Sequence, residues 1–153
     1  MERPRTPAGE GLGPTDDAEG SAQFERNLVL VAMAPQDADA EEAFAIIAEQ
    51  CSLLNLHPCR LDENLGIREI ILLVKRAEFL VFDLSSPSPD LYYGLGYAHG
   101  VGNEAHDILL IARTGTTLSF KVAPLRVQYY DSRQRLRDIV AASLKDMILQ
   151  TRR

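Results

Sequence analysis

The groups in this sequence with the types and spacing to do chemistry fall mostly in or beside one stretch, Ser85 to Gly100, SSPSPDLYYGLGYAHG. Asp83 closes the apolar run just before it, and Asp62 opens the polar cluster Asp62-Glu63-Asn64 after an earlier extended piece. Paired carboxylates can divide acid and base work when their surroundings separate their pKa values, although carboxylates at a sheet rim also serve as ordinary solvated or capping groups. Ser85, Ser86 and Ser88 offer hydroxyls beside the free backbone donors of a helix start, the composition of a phosphate cradle. Pro87, Pro89 and Asp90 equally describe a plain turn into a helix capped by Asp90, whose charge would repel an anion.

Gly94, Gly96 and Gly100 lie inside the following helix, where each costs about 1 kcal/mol relative to Ala. Something has to require the missing side chains. Their spacing is not the GxGxxG dinucleotide fingerprint. Close packing and backbone approach to a ligand are both open for Gly94, while Gly96 and Gly100 read as packing positions. His99 and His106 have no Ser or Cys partner at a nucleophile spacing. Tyr92, Tyr93 and Tyr97 could stack on a base or fill a core, with Tyr93 and Tyr97 on one helical face.

Positioning these groups requires an alternating chain. Leu28 to Met33 (LVLVAM) reads as a strand buried on both faces. Asp39 with Glu42 forms a capping box for a helix carrying Phe44, Ile47, Cys51 and Leu54 on one stripe. His57 to Leu61 is a second extended piece, and Ile67 to Arg76 a helix apolar on more than one side, hence well covered. Glu78 to Leu84 is the third strand, Asp107 to Ala112 the fourth and Arg126 to Tyr130 a short fifth. Ser132 caps a last helix striped by Leu136, Ile139, Val140, Leu144, Met147 and Ile148. This order predicts an α/β fold, a flavodoxin-like doubly wound five-stranded parallel sheet with helices on both faces. Ligands bind such sheets at the carboxyl ends of the strands, so Met33, Asp62, Asp83, Ser88 and Tyr93 are expected around one pocket.

The bulk composition narrows the partners. A chain of 153 residues, 46% of them hydrophobic, builds one core and one domain. A net charge of −6 and a pI near 5.0 argue against nucleic acid. Cys51 and Cys59 have no metal-ligand spacing and read as buried thiols, which with the absence of a signal-like segment suggests a cytoplasmic protein. Residues 1–23 (MERPRTPAGEGLGPTDDAEGSAQ) carry repeated Gly, Pro and acid and are expected to be a disordered tail, leaving 24–153 as the folded domain. No apolar run reaches 18 residues, so no membrane partner is expected.

The path from LVLVAM through AEFLVFDLSSPSPDLYYGLGYAHGVGN, DILLIAR and SFKVAPLRVQYY resembles the nucleoside 2-deoxyribosyltransferase superfamily and its TIR-like bacterial relatives. The resemblance spans about Leu28 to Leu144. It implies a flavodoxin-like fold and chemistry at an N-glycosidic bond of nucleosides, nucleotides or NAD. The glutamate of the family's ELG triplet, nucleophile or ribose-stabilising carboxylate, maps to Gly94 and is missing. A base-handling carboxylate maps to Asp83, and a serine that holds a 5′-phosphate maps to Ser88.

The expectation that follows is a nucleotide- or nucleoside-binding domain, weakly active or inactive as an N-glycosidase, with Met33, Asp62, Ser88, Asp90 and Tyr93 binding the ligand. One alternative is an active N-ribosyl hydrolase or transferase using Asp83, Asp62 or Asp90. Another is a non-catalytic self-associating interaction module. Relatives of this kind often complete their sites across a dimer, which allows a homodimer here. No cofactor and no metal are called for.

Overall fold

The computed structural model describes residues 23–61, 65–86, 88–103, 107–118 and 126–152. Residues 1–22 of the expected tail and Asp62, Glu63, Asn64 and His106 lie outside the described residues.

Five strands form one sheet in the order β2-β1-β3-β4-β5, every pair parallel. They are β1 (Glu25–Met33), β2 (His57–Arg60), β3 (Ala77–Asp83), β4 (Ile108–Arg113) and β5 (Val127–Tyr130). The apolar runs become strands because a parallel sheet covered on both faces needs apolar side chains pointing both ways. Alternation along β1 sends Val29 and Val31 into one core cluster and Leu28, Leu30 and Ala32 into the other. β3, the middle strand, is buried along its whole length.

The helices are α1 (Ala40–Leu53), α2 (Ile67–Arg76), α3 (Pro89–Gly100) and α4 (Arg133–Thr151). α1 and α4 cover one face, through Ile46, Ile47, Cys51, Leu136, Val140 and Leu144. α2 and α3 cover the other, through Ile70, Val74, Leu91, Leu95 and Ala98. This is the doubly wound flavodoxin-like arrangement that the alternation predicts.

Local details depart from expectation in instructive ways. Asp39 is the N-cap of α1, but its side chain makes no capping bond, and Glu42 pairs with Arg133 instead of closing a capping box. The reason is that the carboxylate of Asp37 accepts from the Asp39 backbone N–H at 2.9 Å, so Asp39 holds φ −92° and ψ 0° in place of the extended cap conformation. Ser132 does cap α4, its Oγ accepting from Arg135 N at 3.0 Å. The cap of α3 is Ser88 rather than Asp90, because Pro89 takes the first helical position. α2 is less covered than its composition suggests: Ile70 and Val74 are buried, whereas Ile67 is half exposed. It runs into β3 without a loop, and Arg76 at the junction pairs with Glu25.

Candidate functional site

The order β2-β1-β3-β4-β5 reverses direction between β1 and β3, and the crevice outside their carboxyl ends is where open sheets of this kind take ligands. Here that crevice holds a polar cluster made of the chain itself. Asp37, in the loop after β1, accepts two bonds from the Arg113 guanidinium at the end of β4, at 2.9 and 3.1 Å. The Ser86 hydroxyl, from the loop after β3, donates to the same carboxylate at 2.7 Å. Arg113 also donates its backbone N–H to Ser85 Oγ at 2.8 Å. Burial alone would push the Asp37 carboxyl up. The bonds from Arg113, Ser86 and the Asp39 backbone outweigh it and hold the group below the usual aspartate value.

Beside this cluster Asp83 is buried at the end of β3 and accepts from the Tyr130 hydroxyl at 2.8 Å and from the Ser85 backbone at 2.9 Å. Burial, and then the charge of Asp83, push the Tyr130 hydroxyl up. A phenol held protonated in this way donates a hydrogen bond and is unsuited to act as a base. Among the described residues no buried side-chain polar atom is left without a partner. The cluster is therefore satisfied internally.

Next to it, on the α1 and α4 face, opens a cleft of about 330 Å³. Apolar Ala43, Ile46 and Leu136 line it together with Arg113, Tyr130 and Asp131. Arg113 is engaged by Asp37, and Arg133 by Glu42. Asp39 stands 3.6 Å from Arg113, and among the described residues no cation pairs with Asp131. The cleft is thus partly apolar and net negative at its rim.

The structure divides the residues expected around one pocket. Met33, Ser88 and Asp90 meet on the other face, with Pro35, Leu61, Ile70 and Leu91, around a cavity of about 30 Å³, room for a water or two. Asp83 turns to Tyr130 and away from that group. Tyr93 is 47% exposed on the outer side of α3, and Asp62 lies outside the described residues. Gly94 is buried at the contact of α3 with α2 and β3, where a Cβ would stand 3.4 Å from Ile70 Cγ2 and 3.6 Å from Phe82 Cε1. Packing limits this position without forbidding a methyl group, whose contacts would be of ordinary van der Waals length. It places no limit on Gly96 and Gly100, whose Cβ positions meet nothing within 4 Å.

Asp37, Arg113, Tyr130, Asp131 and Ser132, which shape the crevice and cleft, were not singled out as site residues from the sequence. The rule that drew attention to the ends of strands two and three applies equally to DILLIAR and RVQYYDS, where polar residues end strands four and five.

Solved structures that resemble this chain include flavodiiron proteins and a diflavin flavoprotein. A flavo-di-iron protein variant from Thermotoga maritima matches with a TM-score of 0.60 at 13% identity, covering 82% of this chain and 37% of that one. The flavodiiron protein from Giardia intestinalis matches at 0.58 and 11% identity, over 90% of this chain and 40% of that one. Diflavin flavoprotein A3 from Nostoc sp. matches at 0.58 and 13% identity, over 82% and 94%. This chain thus spans roughly two fifths of the flavodiiron proteins it matches. No family model and no curated protein matches it. At such identities the likeness carries the flavodoxin-like fold.

These matches overturn the resemblance to the nucleoside 2-deoxyribosyltransferase and TIR-like proteins, and with it the expected nucleotide-binding, N-glycosidase and interaction-module functions. The motif that suggested them is a packed helix whose Gly94 faces Ile70 and Phe82.

A flavodoxin-like fold raises the question of flavin mononucleotide, whose place in such folds is the crevice between β1 and β3. The residues do not fit its phosphate. The segment Pro35 to Glu42, PQDADAEE, has no Gly, Ser or Thr, and it brings the four carboxylates Asp37, Asp39, Glu41 and Glu42 to the start of α1, where a phosphate would need bare donors. Nor, among the described residues, does any group of three or more His, Cys, Asp or Glu stand together to hold a metal ion. No helix among the described residues is long and apolar enough to cross a membrane.

Proposed function

We propose that residues 24–153 form a small-molecule-binding domain whose ligand sits in the cleft between α1 and α4. The observation that carries this reading is the cleft of about 330 Å³ at the carboxyl edge of the sheet, within the range of small-molecule sites and at the edge where α/β sheets bind ligands. Its apolar residues Ala43, Ile46 and Leu136 favour a ligand with an apolar or aromatic body. Its rim favours a neutral or cationic head, because both arginines are already engaged and Asp131 and Asp39 leave a surplus of negative charge. Asp83 serves this site at one remove, by holding the Tyr130 ring in the wall. The groups at hand support binding without covalent chemistry: the Cys51 thiol lies inside the core and is pushed up to about 12 by burial.

A charge-matched series tests the reading: benzylamine, benzyl alcohol and benzoate, followed by saturation-transfer NMR and by backbone shifts of the protein. Benzylamine and benzyl alcohol are expected to perturb Arg113, Tyr130 and Asp131, with benzoate weakest. Asp131→Asn should weaken benzylamine about threefold, the scale of one exposed ion pair, and leave benzyl alcohol unchanged. Strongest binding by benzoate, or shifts confined to α3, would refute it. Sedimentation of the same samples shows whether the domain works as a homodimer.

A further inference from the structure

We propose that the Asp37–Arg113 pair is a built-in occupant of the crevice between β1 and β3, taking the place of a phosphorylated cofactor, so that this domain folds without flavin and is closed to flavin mononucleotide. The inference is independent of what binds in the neighbouring cleft.

Three segments far apart in sequence meet in the crevice. Asp37 is bonded to Ser86, 49 residues on, and to Arg113, 76 residues on. The guanidinium binds both oxygens of one carboxylate, the strongest geometry open to this pair. The Asp37 side chain is only 9% exposed. A cofactor phosphate in this position would have to displace that carboxylate from Arg113 and leave it unpaired in a poorly hydrated place, which is costly. It would then face Asp39, Glu41 and Glu42 on the first turn of α1. One donor at the start of α1, the Asp39 backbone N–H, is already given to Asp37. The loops on either side of the crevice are tied by Ser86 to Asp37 and by Ser85 to the Arg113 backbone. What a cofactor would bring to such a fold, a polar bridge between the loops after β1 and β3, is supplied from β4.

The full chain, purified and titrated with flavin mononucleotide, tests this directly through flavin fluorescence. No saturable quenching is expected up to about 100 μM, where a Kd in the micromolar range would be plain, and the Tm should not move. Saturable quenching in that range overturns the proposal. The second arm is Arg113→Met, compared with Arg60→Met, which removes the more exposed pair with Glu41. Arg113→Met should lower the Tm by about 8 °C and Arg60→Met by about 2 °C or less. Equal Tm values for Arg113→Met and wild type would overturn the pair's role as the internal bridge. Where Arg113→Met does not fold, Ser86→Ala, which removes one bond to the same carboxylate, gives the reading: a drop of about 3 °C is expected, and none at all counts against the proposal.

Discussion

The two faces of the sheet meet its carboxyl edge differently. On the α2 and α3 side lies α3, with the glycines and tyrosines that attract attention, yet the cavity there, which Ser88, Asp90 and Leu91 help to line, measures only about 30 Å³. On the α1 and α4 side the chain reads plainly, as RVQYYDSRQRL, and there the cleft reaches about 330 Å³. The two linings differ in the size of their side chains. On the α2 and α3 side Leu61, Leu65, Ile70 and Leu91 crowd the small cavity. On the α1 and α4 side Ala43 lies in the cleft lining beside Ile46 and Leu136, and so small a side chain leaves space that a large one would fill. Residues rich in possible chemistry can thus be spent on packing, while a cleft is made by a small residue where a large one would close it.

The most damaging way to test this contrast is to put a carboxylate where the glycine packs. Gly94→Glu would start its side chain against Ile70 and Phe82 at a buried position, and an unpaired buried charge costs several kcal/mol. A loss of about 4 kcal/mol is expected, enough to lower the Tm by more than 10 °C or prevent folding. Wild-type stability in urea would mean that α3 can swing away and that the packed reading of this face is wrong.

A smaller effect sharpens the other side. Asp37 is held below the usual aspartate value when folded, so its contribution is complete above the ordinary carboxylate range and is lost as pH falls through that range toward its lowered folded value. Asp37→Asn should cost about 2 kcal/mol near neutral pH, through weaker bonds to Arg113 and Ser86. It should also flatten the acid limb of the stability curve between about pH 5 and pH 2. Urea denaturation across that range in both proteins measures this, and parallel curves would remove Asp37 from the acid response.

The sequence made the sheet legible because its signals are local. LVLVAM, EFLVFDL and DILLIA can be little else than strands buried on both faces, and the stripe Leu136, Ile139, Val140, Leu144, Met147 lies on the core as the spacing requires. The site was less legible because it depends on contacts between distant segments. Nothing near Asp37 in sequence announces Arg113, and the Asp83 to Tyr130 bond joins residues 47 apart. The motif reading also misled for a physical reason. A glycine in a helix is required equally by a tight helix-to-sheet contact and by a ligand at the backbone, and the sequence does not distinguish the two demands.

The smallest effect separates the glycines of α3 from one another. Gly96 is exposed in the middle of the helix, and a methyl group there meets no atom within 4 Å, so neither packing nor backbone conformation requires the glycine. Alanine at that position loses less backbone entropy on folding and is the better helix former, which is worth about 0.5–1 kcal/mol. Gly96→Ala should therefore raise the Tm by about 2–4 °C while leaving cleft ligands and the acid limb unchanged. At Gly94 the same methyl would stand in van der Waals contact with Ile70 and Phe82, so the helical gain is offset by any shift of α3 needed to admit it, and Gly94→Ala should gain less than Gly96→Ala. Calorimetric melting of the two alanine variants side by side makes the comparison. A loss of stability in Gly96→Ala would show that the exposed side of α3 needs its missing side chain for a contact made within the folded protein, and the line drawn here between a packed and an unconstrained glycine would then fall.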